Sequence, residues 1–372
     1  MAVEDVDVVV VGGGAMGSAA AWQAASRGAD VVLLERFAEG HDQGASHGAT
    51  RNFNLAYAER DYVDLGLEAQ GLWDRLTAET GIAVLDLVGL VNHGWVDPLR
   101  AVRATHEARG VESAFLSPRE AADRWPGMRF RSEVLYVPGS GRVRASEALR
   151  ALRMAAEAEG ARFSYETPVV GIDVRGADEV IVTTDAREFR ARRVVVAAGA
   201  WTAKLLGDLV PLPSLVVTQE QPAHFAPRDP ALVWPSFNHS QDPEERADDY
   251  WLSQTYGLLS PGEGVKVGWH GVGPVTDPDR RTFVPDPEQH AVLQRYVADW
   301  LPGLDPHEFD PISCTYTSTP TTDFVLDRVG PLVVAAGFSG HGFKFTPAIG
   351  RVLADLVDGI PAPARFRGLV AR

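Results

Sequence analysis

The spacing of apolar and polar positions changes character along this chain. Near the start, "EDVDVVVVGGG" carries an unbroken valine run over residues 8 to 11. Such a run fits a parallel strand buried on both faces rather than an alternating, half-wetted one. Glycines follow at once; then "SAAAWQAASR" predicts a helix of small residues, Gly28 its stop, and "DVVLLE" a second strand. The order is βαβ. "RRVVVAAGAWT" (residues 192 to 202) and "PLVVAAGFSGHGFKFTPAIGRVLADLVDG" each run again from an apolar strand into glycine, so both are expected in the same sheet. In the second, Thr346 as N-cap and Pro347 at the first helical position predict a helix start. Ile349, Val352, Leu353 and Leu356 then recur with helical spacing, which assigns one face of that helix to the core. The valines around Lys266 in "GVKVGWH" alternate instead, as in a half-buried strand, and leave the direction of Lys266 open.

The first glycines have the spacing GxGxxG. Gly12 permits the tight turn, Gly14 lets backbone approach a pyrophosphate, and Gly17 lets the helix pack closely on the strand. The unpaired N–H groups at the helix start favour an anion there. Glu35 ends the second strand, where a carboxylate can accept from ribose hydroxyls and disfavour a 2′-phosphate, so FAD or NAD fits better than NADP. "GEGVKVG" neither keeps the spacing nor leads into a helix, and one fingerprint implies one dinucleotide. Later, Gly337, Gly340 and Gly342 thin the backbone just before a helix N-terminus beside Lys344, a second place for a ligand anion.

Composition narrows the class. With 372 residues, 45% apolar and 23% charged, the chain reads as a globular protein of two domains or one large one. A single cysteine, Cys314, allows no intramolecular disulfide, which makes the cytoplasm the default compartment. The N-terminus has acids where a secretory signal needs basic residues, and no apolar run reaches the roughly 18 residues of a membrane span. A net charge of −15 would repel phosphate backbones and anionic lipid, so neither nucleic acid nor membrane is an expected partner. No HExxH, paired CxxC or P-loop is present, and no metal site is expected. "GFSGHG" only superficially matches GxSxG around Ser339.

The stretches "VVVVGGGAMGSAAA", "ASHGATRNFNLAY", "VVVAAGAW", "GVKVGWH", "SCTYTSTPTTDF" and "AAGFSGHGFKFTPAIG" together resemble the D-amino-acid oxidase superfamily, within it the sarcosine oxidase and N-methyltryptophan oxidase group. The resemblance implies an α/β fold: a Rossmann-like FAD-binding domain (residues 1–85, 145–210 and 320–372) with an inserted α+β substrate domain (86–144 and 211–319) built on an antiparallel or mixed sheet. It implies FAD held by Gly12, Gly14, Met16, Gly17, Glu35, Arg36, Ser46, His47, Thr50, Arg51, Val170, Ala198, Gly199, Trp201, Gly337, Gly340, His341, Gly342, Phe343 and Lys344, with a thioether from Cys314 to the flavin 8α-methyl. It also implies Lys266 as the cation that promotes reaction with oxygen, His270, Tyr316 and Tyr256 near the substrate, and Arg51 beside the flavin. A small-molecule amine and molecular oxygen are then the partners, hydrogen peroxide a product, and the protein a monomer.

One position departs from the group. Its TRxxR pattern reads "TRNFN" here, so Asn54 stands where a second arginine would pair with the substrate carboxylate. Asparagine cannot replace that bidentate cation. Either Lys344 holds the carboxylate alone, or the substrate is a different secondary amine, larger and with its acid group elsewhere; the second is favoured. The acidic stretch "NHSQDPEERADDYW" (238 to 251) reads first as a solvated loop, with a lid that attracts cationic amines as its alternative. Against the amine oxidase stand a flavin dehydrogenase using another acceptor, a flavin-binding module without catalysis, and an NAD-dependent dehydrogenase.

Overall fold

The structure is a computed structural model that describes residues 3–243 and 250–369. Strand Val3–Val11 lies parallel to Glu188–Val196 on one side and to Val31–Leu34 on the other, inside an eight-stranded sheet. Leu332–Ala336 adds a further parallel strand against Val194–Val196. The valine run explains the sheet's place. Val8 and Val10 pack into a core with helices Ala15–Ala25, Arg60–Thr80, Ala145–Ala158 and Thr346–Val357, while Val9 and Val11 face a second core with Val180, Val182 and Phe189.

Ala-rich sequence in helix Ala15–Ala25 serves close packing. A Cβ on Gly350 of the C-terminal helix would lie 2.6 Å from Ala19 O, so only small residues permit this approach. Ile349, Val352, Leu353 and Leu356 are at most 3% exposed, as their spacing predicts, and each buried aliphatic side chain contributes about 1.5–3 kcal/mol. Thr346 departs from expectation. The 3-10 turn Phe343–Phe345 runs straight into the helix, so Thr346 already has helical dihedrals and its Oγ1 donates to Phe343 O at 2.7 Å instead of capping.

A second eight-stranded sheet has the order Leu304–Pro311, Ala223–Pro227, Gly264–Trp269, Thr255–Ser260, Ser236–Ser240, Leu90–Gly94, Val134–Val137, Ala114–Leu116. Its pairs are antiparallel except Ser236–Ser240 with Leu90–Gly94. Val91, Phe225, Phe237, Val265 and Val267 from one face join Trp300 and Tyr296 in a separate core. Two smaller pieces connect the layers: the sheet of Thr50–Phe53, Gly141–Arg144 and Leu85–Asp86, and the ribbon of Val216–Glu220 with Cys314–Ser318. The acidic stretch begins inside a strand rather than a loop, with Asn238 and His239 buried; residues 244–249, which hold most of its acids and the suggested lid, lie outside the described residues.

Candidate active site

A cavity of about 800 Å³ opens at the carboxyl ends of the parallel strands, the crevice where such sheets bind nucleotides. Gly12 turns the chain there with φ 106°, and a Cβ on Gly17 would stand 1.9 Å from Gly12 O, so Gly17 packs behind the cavity rather than lining it. Gly14, Met16, Val170, Ala198, Gly199, Gly337 and Gly342 line the walls. Ser46 Oγ accepts from Ala15 N at 3.0 Å and steadies the first helical turn. Glu35 accepts from Gly13 N at 2.6 Å and Phe37 N at 2.9 Å. Burial alone would raise its pKa, but the bonds from His41, Phe37 and Gly13 outweigh this and hold it below the usual carboxylate range. Oε1 takes both Phe37 N and His41, while Oε2, with Gly13 N alone, keeps a further lone pair for a ligand hydroxyl. At the rim, Asp279 receives Arg36 at 2.7 Å, Trp201 Nε1 at 2.8 Å and Lys204 at 2.7 Å.

A second cavity, of about 860 Å³, lies on the exposed-to-cavity face of the second sheet. Strand alternation builds it: while Val265, Val267, Phe225 and Phe237 go to the core, Lys266, His224, Asn238, Tyr256 and Leu258 turn to the cavity. The alternation around Lys266 therefore reflects two buried faces of different chemistry, not one wet face; Lys266 is 6% exposed. Burial, with Arg51 nearby, lowers its pKa to about 7. Lys344 donates to Tyr57 Oη at 2.9 Å and His341 O at 2.8 Å, and burial alone lowers it to about 7, with no counter-charge offsetting it. His270 Nδ1 lies 3.3 Å from Tyr316 Oη; burial and Lys344 lower its pKa to about 4. Burial raises the phenols of Tyr256 and Tyr316.

The two cavities share a wall made by His47, Arg51, Cys314, Tyr316, Gly340 and Phe343. Arg51 donates to Thr50 O and Ala45 O, each at 2.8 Å, and so straps its loop by backbone carbonyls rather than by a carboxylate. His47, buried beside Arg51, Arg281 and Lys266, is held near pKa 4. Thr50 turns its hydroxyl to Ser260 Oγ at 2.5 Å, while its carbonyl also receives Lys266 at 3.5 Å. Cys314 is half-buried at the start of its strand. Gly340 has φ 77°, and a Cβ there would meet the Tyr316 ring at 2.2 Å, so the glycine loop and the Cys314 strand fit face to face. Ser339, inside that loop, bonds Gly337 O and Thr319 N and is spoken for structurally.

Of the residues singled out in the sequence, all but Gly17 reach one cavity or both; Thr50, His341 and Lys344, expected at the cofactor, line only the second one. Asn54 also lines it, its Oδ1 accepting from Ala56 N at 2.7 Å in a local turn. Sequence reasoning missed Tyr57, His224, Asp279 and the asparagines at 52, 92 and 238. Tyr57 and Asn52 stand within the quoted "RNFNLAY" and Asn238 opens the quoted acidic stretch, so a signal existed for them; His224, Asp279 and Asn92 reach the cavities only through the fold.

A glycine-cradled nucleotide cleft joined by one wall to a cavity holding two buried lysines defines a dinucleotide-dependent oxidoreductase. The chain belongs to the FAD-dependent oxidoreductase (DAO) family, whose profile matches residues 7–356. It is 34% identical over 366 residues to monomeric sarcosine oxidase of Bacillus sp. (strain NS-129), covering 94% of this chain and 92% of that protein. It is 30% identical over 381 residues to N-methyl-L-tryptophan oxidase of Yersinia pestis (strain Pestoides F), covering 98% and 100%. Among solved structures, NikD, an amino acid oxidase essential for nikkomycin biosynthesis, superposes with a TM-score of 0.85 at 30% identity over 98% of both chains. The residues fit FAD: a glycine cradle that a Cβ would fill, and a buried carboxylate at the end of the second strand.

Proposed function

We propose that the protein is an oxidase of secondary amines or N-methyl amino acids that yields an imine, hydrolysed by water, and hydrogen peroxide. The observation that carries this is the junction of the two cavities: the one that shares a wall with the nucleotide cleft holds two buried lysines, Lys266 and Lys344, the second without a counter-charge. When bound, FAD supplies the acceptor for hydride from the C–H next to nitrogen and returns the electrons to oxygen. Lys344 holds a substrate carboxylate, an anion for which its site has no other partner. His270 and Tyr316, linked by their hydrogen bond, orient the amine; the low pKa of His270 keeps it neutral, so it can accept a hydrogen bond from the amine N–H. Lys266 presents positive charge where oxygen is reduced. Asn54, tied to Ala56 N, leaves the carboxylate to Lys344.

Several finer points belong to the same reading. Cys314 tethers the flavin through a thioether; residues 1–85, 145–210 and 320–372 form the FAD domain and 86–144 with 211–319 the substrate domain; the protein is a cytoplasmic monomer. Among the described residues no helix is long and apolar enough to cross a membrane. The reading is tested by mixing the holoprotein anaerobically with a panel of N-methyl and cyclic amino acids, then admitting air. Bleaching followed by peroxide supports an oxidase, bleaching without peroxide a dehydrogenase, and no bleaching by any amine removes the reading. Acid precipitation tests the tether: yellow should stay with the pellet and be released in Cys314→Ser.

A further inference from the structure

The second cavity runs beneath its sheet to the end strand, Leu304–Pro311. Asp310 on that strand, His224 on Ala223–Pro227 and Lys266 on Gly264–Trp269 stand in line across three neighbouring strands, His224 in register with both of the others. All three line the cavity, so they form one row on one face. Residues opposed in this way have Cβ atoms about 4.5–5.5 Å apart. Exposure falls along the row: Asp310 is open to water, His224 is 8% exposed and Lys266 6%. Glu263, also exposed, joins from the turn before Gly264, its Oε2 3.4 Å from His224 Nε2. That nitrogen is buried and makes no hydrogen bond among the described residues. The other groups whose charge reaches the row are Arg51, His47 and Cys314.

The cavity also meets water far from this row. Trp95 and Pro98, exposed residues in its wall, follow strand Leu90–Gly94, five strand spacings from Leu304–Pro311, or roughly 24 Å. An amine therefore has an entrance that leaves the row free.

Oxygen becomes hydrogen peroxide by gaining two electrons and two protons. Both electrons and one proton come with reduced, anionic FAD, so the other proton must come from water. Lys266, which burial holds near pKa 7, can release a proton around that pH and must then regain one. A neutral imidazole passes protons on by taking one at one ring nitrogen and giving one up from the other. Resting on the oxidase reading, we propose that Asp310 and Glu263, then His224, then Lys266 form a proton path from water at the sheet edge to the place where oxygen is reduced.

The experiment reduces the holoprotein with just enough dithionite, mixes it with oxygenated buffer and follows reoxidation by stopped flow, so that no amine is involved. His224→Phe should slow reoxidation by about a hundredfold, the scale of a positioned proton carrier, and slow anaerobic reduction by an amine far less. In His224→Ala, added imidazole should restore the rate, which it would not do for a purely structural loss. Glu263→Gln combined with Asp310→Asn, both at exposed positions, should also slow reoxidation and keeps the test alive where a His224 variant folds poorly. In the apoprotein, the imidazole NMR signal that H224F removes should titrate at higher pH in Lys266→Met, because the ammonium facing it is gone. Reoxidation at the wild-type rate in H224F or in the double variant, a loss in H224A that imidazole does not repair, or an unmoved titration overturns the path and leaves the oxidase standing. If oxygen does not reoxidise the reduced wild type, the oxidase reading itself fails and takes this inference with it.

Discussion

Around Val3–Val11 both faces of the sheet are buried in apolar cores, whereas around Gly264–Trp269 one face is core and the other lines a cavity with lysine, histidine, tyrosine and asparagine. The two regions also make their sites from different material. In the first, backbone does the binding, and the important side chains are the missing ones. In the second, side chains from strands far apart in sequence converge, and each carries a desolvation cost that the surrounding packing must offset. A backbone site tolerates no added atom; a side-chain site tolerates substitution of shape but not of charge.

The sharpest break of that comparison is Gly17→Ala, whose methyl would collide with Gly12 O. Purified variant should carry little or no visible flavin absorbance; full occupancy would show that the cradle can yield. Next, Lys266→Met should slow reoxidation by oxygen about 10²- to 10³-fold, the scale of losing one preorganised electrostatic partner, and slow anaerobic reduction far less. Stopped-flow measurement of both half-reactions checks the split. Lys344→Met should weaken a carboxylate-bearing inhibitor by about 1.5–3 kcal/mol. Free Lys344 is protonated below a pKa of about 7, so wild-type affinity is full below that pH and declines as pH rises through it, while the variant should show no such decline.

Two smaller effects contrast the regions in stability. His47, His224 and His270 have folded pKa values of about 4, below the ordinary 6.5. Between those pH values the unfolded chain binds more protons, so apoprotein stability should rise with pH through that window. Denaturant midpoints at both ends measure it, and His224→Phe should flatten the slope. On the apolar side, Ile349→Val should cost only about 0.5–1.5 kcal/mol with no added pH dependence.

Legibility followed the same division. The nucleotide end could be read because its chemistry is written in contiguous order: valine run, spaced glycines, small-residue helix, Glu35. Thr346 misled because its neighbours Phe343–Phe345 were already helical, a tertiary choice that capping preference cannot foresee. Lys266 could be recognised by its motif but not oriented, since "V-K-V" looks the same whether the alternate face meets water or a cavity. The meeting of the asparagines at 52, 92 and 238 could not be read from the sequence: register joins Asn92 to Asn238 between strands more than a hundred residues apart, and Asn52 reaches Asn238 from a different sheet.

Asp279 gathers three donors from two separate segments at the lip of the nucleotide cleft, and Arg36, Lys204 and Asp279 itself all remain partly open to water. A lip held by such part-exposed ion pairs responds to ions rather than to grease: dissolved salt can loosen it without disturbing either valine layer beneath. Loading of the apoprotein should thus quicken with ionic strength, and the doorway, rather than the room behind it, would set the pace of assembly.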